Sequence, residues 1–130
     1  MIVVVDSSLI VDALLRGAQA VAIHSTLINE DVHAPVLLDY EVVSSLRGWS
    51  RSGRLPETRL TEALNDFDDL PIQRWAPTHE LRQRAFQLRD AVTAYDAAYV
   101  ALAEALECPL LTQDRRLGGS TGHHARIRLV

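Results

Sequence analysis

Apolar and polar positions along this chain alternate between two periods. Short continuous runs of β-branched and aliphatic residues, "IVVV" at 2–5, "VHAPV" at 32–36, "PIQRW" at 71–75, "CPLLT" at 108–112 and "IRLV" at 127–130, are bounded by turn or charged residues and predict five strands. Between them the spacing turns helical over Leu9 to Leu15, Ala18 to Ile28, Leu37 to Arg51, Pro56 to Phe67, Thr78 to Arg89 and Tyr95 to Leu106. In the third of these, Leu38, Val42, Leu46 and Trp49 mark one apolar face, while Gly17 and Gly53 read as helix stops and "LGGSTGHHA" as a flexible loop before the last strand. Strands apolar on both faces that alternate with helices predict an α/β fold: a three-layer αβα arrangement around a five-stranded parallel sheet. In such folds ligands bind outside the carboxyl ends of the strands, which is where Asp6 stands.

Composition adds limits. With 130 residues, 48% of them hydrophobic and 23% charged, the chain has the content of one soluble domain over 1–130. Asp6 and Asp12 interrupt the apolar opening, which carries no basic leader, so the expectation is neither a signal peptide nor a membrane span but a cytoplasmic protein. The single cysteine, Cys108, has no partner for a disulfide and reads as a small core residue, and no Cys/His cluster has zinc spacing. A net charge of −4 runs against nucleic-acid binding through a basic surface; all 13 basic residues are arginine, which reads first as genomic base composition and second as the better bidentate phosphate partner, and four acids engaged by a metal would leave the remainder balanced.

Four acids carry the candidate chemistry. Asp6 ends the first strand, where taken alone it reads first as the N-cap of the next helix. Glu41 lies within "VLLDYEVVSSLRGW", with the small residues Ser44, Ser45 and Gly48 at i+3, i+4 and i+7 leaving room for an ion or ligand beside it. Asp96 follows Thr93 in capping-box spacing, and Asp114 follows "PLLTQ" at another strand end, with a turn or cap as its ordinary role. Taken together, two acids at strand ends and two on helices flank one sheet edge. Clustered carboxylates repel unless a cation neutralises them, and hard oxygen donors select Mg²⁺ or Mn²⁺. Such an ion can activate water against a phosphodiester without any side-chain nucleophile.

The segments "VVVDSSLIVDALL", "APVLLDYEVVSSLRG", "LRDAVTAYDAAYVALAEAL" and "CPLLTQDRRLGG" resemble, in order and over nearly the whole chain, the successive motifs of the PIN-domain ribonucleases. The resemblance is greatest to the toxin component of bacterial VapBC toxin–antitoxin pairs. It implies that Asp6, Glu41, Asp96 and Asp114 form the acidic set that holds Mg²⁺ or Mn²⁺, with Ser8 and Thr112 as supporting hydroxyls. It further implies a homodimer, an RNA substrate and a cognate antitoxin protein. One departure is Leu117, which stands where some relatives carry a further polar or acidic residue, and this points to a one-metal resting state.

Arg47, Arg51 and Arg54, at i, i+4 and i+7, form a basic stripe beyond Glu41 if the helix extends that far; they read as RNA contacts or as a solvated face. Arg115 and Arg116 directly follow Asp114 and read as supports for the scissile strand or as turn caps. The five histidines show no ligand spacing, and Trp49 and Trp75 read as core or interface residues. Aromatics make up only 5% of the chain, which leaves little support for base stacking.

The expected function is therefore a metal-dependent RNA endonuclease, with 3′-hydroxyl and 5′-phosphate products. A phosphatase of the haloacid-dehalogenase type also places an aspartate after its first strand, but wants a second acid where this chain has Ser8. A phosphoryl-receiver domain needs a late lysine, and there is none. The alternative from another class is a binding protein that keeps the fold and the metal but cleaves nothing.

Overall fold

The computed structural model describes the backbone of residues 1–130 and every side chain except that of Ala18. Five strands form one sheet: β1 (Ile2–Val5), β2 (Asp31–Pro35), β3 (Ile72–Trp75), β4 (Leu110–Thr112) and β5 (Ile127–Leu129), in the order β3-β2-β1-β4-β5. Every pair is parallel, with Val4 beside both His33 and Leu110, and Val5 beside Leu111. Neighbouring residues of a strand face opposite sides, and Val3, Val4 and Val5 are all fully buried, so both faces of the sheet are covered. This is the α/β architecture and strand set that the apolar runs predict.

The order of the strands decides where the helices lie. From β1 to β3 the chain steps in one direction across the sheet, and from β3 it returns past β1 to add β4 and then β5. Right-handed crossovers therefore place α1 (Ser7–Arg16), α2 (Val21–Asn29), α3 (Leu37–Ser52) and α4 (Glu57–Asp68) on one face. By the same rule α5 (His79–Gln87), α6 (Ala94–Ala105) and the single turn α7 (Arg115–Gly118) lie on the other. The packing agrees: α1, α3 and α4 contact one another, while α5 packs on α6, which rests on β1, β2 and β4. Between β1 and β4 the chain direction reverses, and the crevice above that point is the place where such sheets bind ligands.

Several boundaries differ from those the spacing predicts. The second helix begins at Val21 rather than Ala18, because Gly17, at φ 55° and ψ −124°, turns the chain into a 3₁₀ turn over Gly17–Gln19. That conformation is open to glycine and strained for other residues. The third helix, by contrast, ends where the sequence suggests, at Ser52 with left-handed Gly53 (φ 69°) as its cap, so Arg54 lies beyond it and the basic stripe ends at Arg51. Pro56 caps α4 instead of forming its first turn, α5 ends at Gln87, and α7 has no counterpart in the hydrophobic pattern. Among the described residues no helix is long and apolar enough to cross a membrane. Cys108 is buried, and Trp49 and Trp75 pack against the core, as expected.

The small side chains of α6 set its distance from the sheet. Ala97, Ala101 and Ala103 are buried, and the acid at position 96 precedes the first of them. A leucine at 97 would have to lift the helix or strain its rotamer. Ala97→Leu should therefore cost about 1–3 kcal/mol of stability, measured by urea denaturation of the purified protein.

Candidate active site

Asp6 is the innermost acid of the crevice and 6% exposed. It caps α1, its Oδ1 accepting from the backbone N–H of Leu9 at 3.3 Å, so the ordinary reading of this residue is correct as far as it goes. The same oxygen accepts from Ser8 Oγ at 2.6 Å, and Oδ2 accepts from Thr112 Oγ1. Each hydroxyl is oriented in turn by a backbone donor on the β4 side: Gln113 N–H donates to Ser8 Oγ at 3.1 Å, and Asp114 N–H to Thr112 Oγ1 at 2.9 Å. With their acceptor sides engaged, both hydroxyls point their protons at the carboxylate. Ser8 thus serves Asp6 at the position where a phosphatase would need a second acid.

Glu41 projects from α3 and is half-buried. Its Oε1 accepts from the hydroxyl of Tyr99 at 2.5 Å, a bond between helices on opposite faces of the sheet. Tyr99 is 2% exposed and lies on α6 three residues after Asp96. Thr93 Oγ1 caps α6 by accepting from Asp96 N–H at 3.2 Å, which is half of the capping box that the sequence suggests. The Asp96 carboxylate does not close the box; its Oδ2 accepts from Arg116 at 2.8 Å. Asp114 caps α7, with Oδ1 accepting from the backbone of Arg116 and Leu117, while its Oδ2 accepts from the same Arg116 nitrogen at 3.2 Å.

Electrostatics ties the four acids into one group. Burial pushes the Asp6 carboxyl above the usual carboxylate range against its hydrogen bonds to Ser8, Thr112 and Leu9, and the charge of Asp114 adds to the rise. Glu41 is raised by burial, with Tyr99 opposing and the charges of Asp96 and Asp6 adding to the shift. Burial and the neighbouring carboxylate of Glu41 hold Tyr99 in its neutral, donating form. The donor set is all oxygen, which suits a hard divalent ion. As the side chains stand, no three described His, Cys, Asp or Glu residues converge on a single ion position, and Arg116 bridges the outer pair.

The remaining candidates spread outward from this centre. Arg47 and Arg51 are exposed along α3, Arg54 is exposed past its end, and Arg115 is exposed at the start of α7. Leu117 is 1% exposed, so that position serves the core and offers no ligand. Tyr99 escapes a reading of the sequence because a tyrosine amid helical apolar residues looks like packing; its spacing of three from Asp96 was the available signal. Gln113, whose side chain donates to Asp12 at 2.6 Å beside Arg16, is a second tie between α1 and β4.

Because the Asp6 carboxyl titrates higher in the fold than its ordinary 3.8, the folded chain binds that proton more tightly than the unfolded chain does. Stability therefore falls as pH rises from 3.8 through the folded-state value, and the penalty persists at neutral pH. Asp6→Asn, which cannot ionise but loses one acceptor oxygen, should flatten the pH dependence of stability: in calorimetric melts of the metal-free proteins the parent should lose Tm relative to the variant as the pH is raised from about 4 to 7, on top of a constant offset from the lost acceptor.

Comparison with known proteins agrees with this architecture. Residues 3–118 match the model of the PIN domain. The chain is 40% identical over 128 residues to ribonuclease VapC12 of Mycobacterium tuberculosis, an alignment that covers 98% of both chains. It is 41% identical over 128 residues to ribonuclease VapC1 of the same organism, covering 98% of this chain and 96% of the relative. Among solved structures, VapBC2 from Rickettsia felis, crystallised with a DNA fragment from its promoter, superposes with a TM-score of 0.71 at 12% identity, over 99% of this chain and 98% of the other. A five-stranded parallel sheet with acids gathered at its switch point, a domain match over most of the chain and full-length relatives at this identity lead to one conclusion: the chain belongs to the PIN-domain family.

Proposed function

We propose that the chain is a divalent-metal-dependent endoribonuclease and the toxin of a toxin–antitoxin pair, acting in the cytoplasm as one PIN domain over 1–130. The observation that carries this reading is the meeting of Asp6, Glu41, Asp96 and Asp114, from four separate parts of the chain, at the edge where β1 and β4 end. The ribonuclease names of the relatives at 40–41% identity supply the substrate class.

Mg²⁺ or Mn²⁺ bound among these oxygens supplies Lewis acidity toward the phosphodiester and makes water a competent nucleophile near neutral pH. The protein's own part is to hold the donors ready. Ser8 and Thr112 fix both oxygens of Asp6, and Tyr99 fixes one oxygen of Glu41, so neither carboxylate has to be ordered when the substrate arrives. Arg47 and Arg51, exposed on α3, Arg54 just past its end, and Arg115 and Arg116 on α7 would supply cations that suit a phosphate backbone. Recognition then rests on backbone shape and phosphate contacts, in keeping with the few aromatics.

Partners fit the same surface chemistry. Val36, Tyr40, Val43 and Tyr95 are exposed, and an apolar hollow lined by Pro35, Leu37, Trp75, Leu81 and Tyr95 adjoins them. Apolar surface of this kind supports a homodimer and an antitoxin segment as its occupants. The Rickettsia felis neighbour is a VapBC structure, which gives the antitoxin partner its precedent.

Incubation of the purified protein with total RNA in Mg²⁺, Mn²⁺ or EDTA tests the reading. Fragments with 5′-phosphate and 3′-hydroxyl ends should form with either metal and not with EDTA. Asp6→Asn and Asp96→Asn should each lower the rate by about 100-fold or more. Asp96→Asn should keep a Tm near that of the parent, because Thr93 caps the helix through the backbone of residue 96. Uncut RNA from a protein that still binds Mn²⁺ would leave a binding role in place of the enzyme.

A further inference from the structure

The outer pair of acids is held in a different way from the inner pair. Asp6 and Glu41 are satisfied by the hydroxyls of Ser8, Thr112 and Tyr99, whereas Asp96 and Asp114 share one guanidinium nitrogen of Arg116, at 2.8 and 3.2 Å. The oxygens engaged matter. Oδ1 of Asp114 is committed to capping α7, so Oδ2 is the oxygen left for an ion, and Oδ2 is what Arg116 holds. The placement follows from local geometry: the backbone N–H that Asp114 caps belongs to Arg116 itself, and this fixes the start of its side chain two residues from one acid and facing the other across the crevice.

Resting on the metal-dependent reading above, we propose that Arg116 is a built-in counter-ion that occupies the outer part of the divalent-ion position, and that an ion binds only as Arg116 withdraws. The charge of the guanidinium opposes that of an ion on the same two carboxylates, and Asp114 Oδ2, the oxygen its cap leaves over, is the one that Arg116 already holds. The arrangement also explains why no three acids converge as the structure stands. The arginine side chain is 63% exposed, so its ion pairs are of the weak surface kind and it can leave without unpacking the core. It keeps two carboxylates from repelling each other in the metal-free protein and makes metal affinity a competition.

Calorimetric titration of Mn²⁺ into the RNA-free protein tests this, with Arg116→Gln compared against Arg115→Gln. Both variants remove one positive charge from the same turn, but Arg115 makes neither bridge. The expected result is Mn²⁺ binding at least about fivefold tighter in Arg116→Gln, with Arg115→Gln within about twofold of the parent. The metal-free Arg116→Gln protein should also melt lower than the parent, and saturating Mn²⁺ should erase the difference. Equal tightening in both variants would reduce the effect to net charge and overturn the proposal, as would unchanged or weaker binding in Arg116→Gln. Absence of Mn²⁺ binding in the parent and in every variant would overturn the metal reading and this proposal together.

Discussion

The hydrogen bond from Thr112 to Asp6 is the constraint on which the rest of the site depends. It joins residues 106 positions apart and fixes the ends of β1 and β4 at one level. A carboxylate so far from water is costly unless its oxygens are engaged. The chain meets that cost with two hydroxyls and a helix N-terminus, each supplied by a residue next to the strand end. Once Asp6 is anchored, α1 starts in a fixed direction and the loop from β4 delivers Asp114 beside it. The crevice between them is then bounded by α3 and α6, which bring Glu41 and Asp96.

Each acid in this group has an ordinary structural role and a chemical one, and the two do not compete. Asp6 and Asp114 each cap a helix with Oδ1, which leaves Oδ2 to Thr112 in the first and to Arg116 in the second. The backbone of residue 96 is capped by Thr93, leaving the Asp96 carboxylate free for Arg116. Helix capping thereby becomes a means of aiming a carboxylate, because a cap fixes both the position and the rotation of the side chain that makes it. The cost appears in the raised carboxyls of Asp6 and Glu41, a local loss of stability of the sort that binding sites carry.

How much of this was legible in the sequence depends on the range of the forces involved. The five strands could be read because burial on both faces demands unbroken apolar runs, and the four acids because they interrupt or end such runs. The resemblance to the PIN domain, carried by ordered motifs, anticipated the family. Gly17 and Gly53 could be read as helix stops and do end α1 and α3; the boundary that fared less well is the start of α2, which the 3₁₀ turn after Gly17 delays to Val21. The single-turn helix α7 was invisible since four residues carry no period. The two contacts that organise the acids, Tyr99 with Glu41 and Arg116 with Asp96, join residues 58 and 20 positions apart. No local pattern encodes a pairing of that kind, which exists only after α3, α6 and α7 have been brought to one edge.

The placement of β4 next to β1 has a consequence for the order of events during synthesis. The first 109 residues contain β1, β2, β3 and three of the four acids, yet the inner carboxylate has no Thr112 to hold it and the central strand has a bare edge. The crevice therefore cannot close on residues 1–109 alone. Assembly waits for the late strand to slot in beside the earliest one, a long loop closure that is slow relative to local helix formation. The site is thus a product of the last strand pairing to form and not of any segment that precedes it.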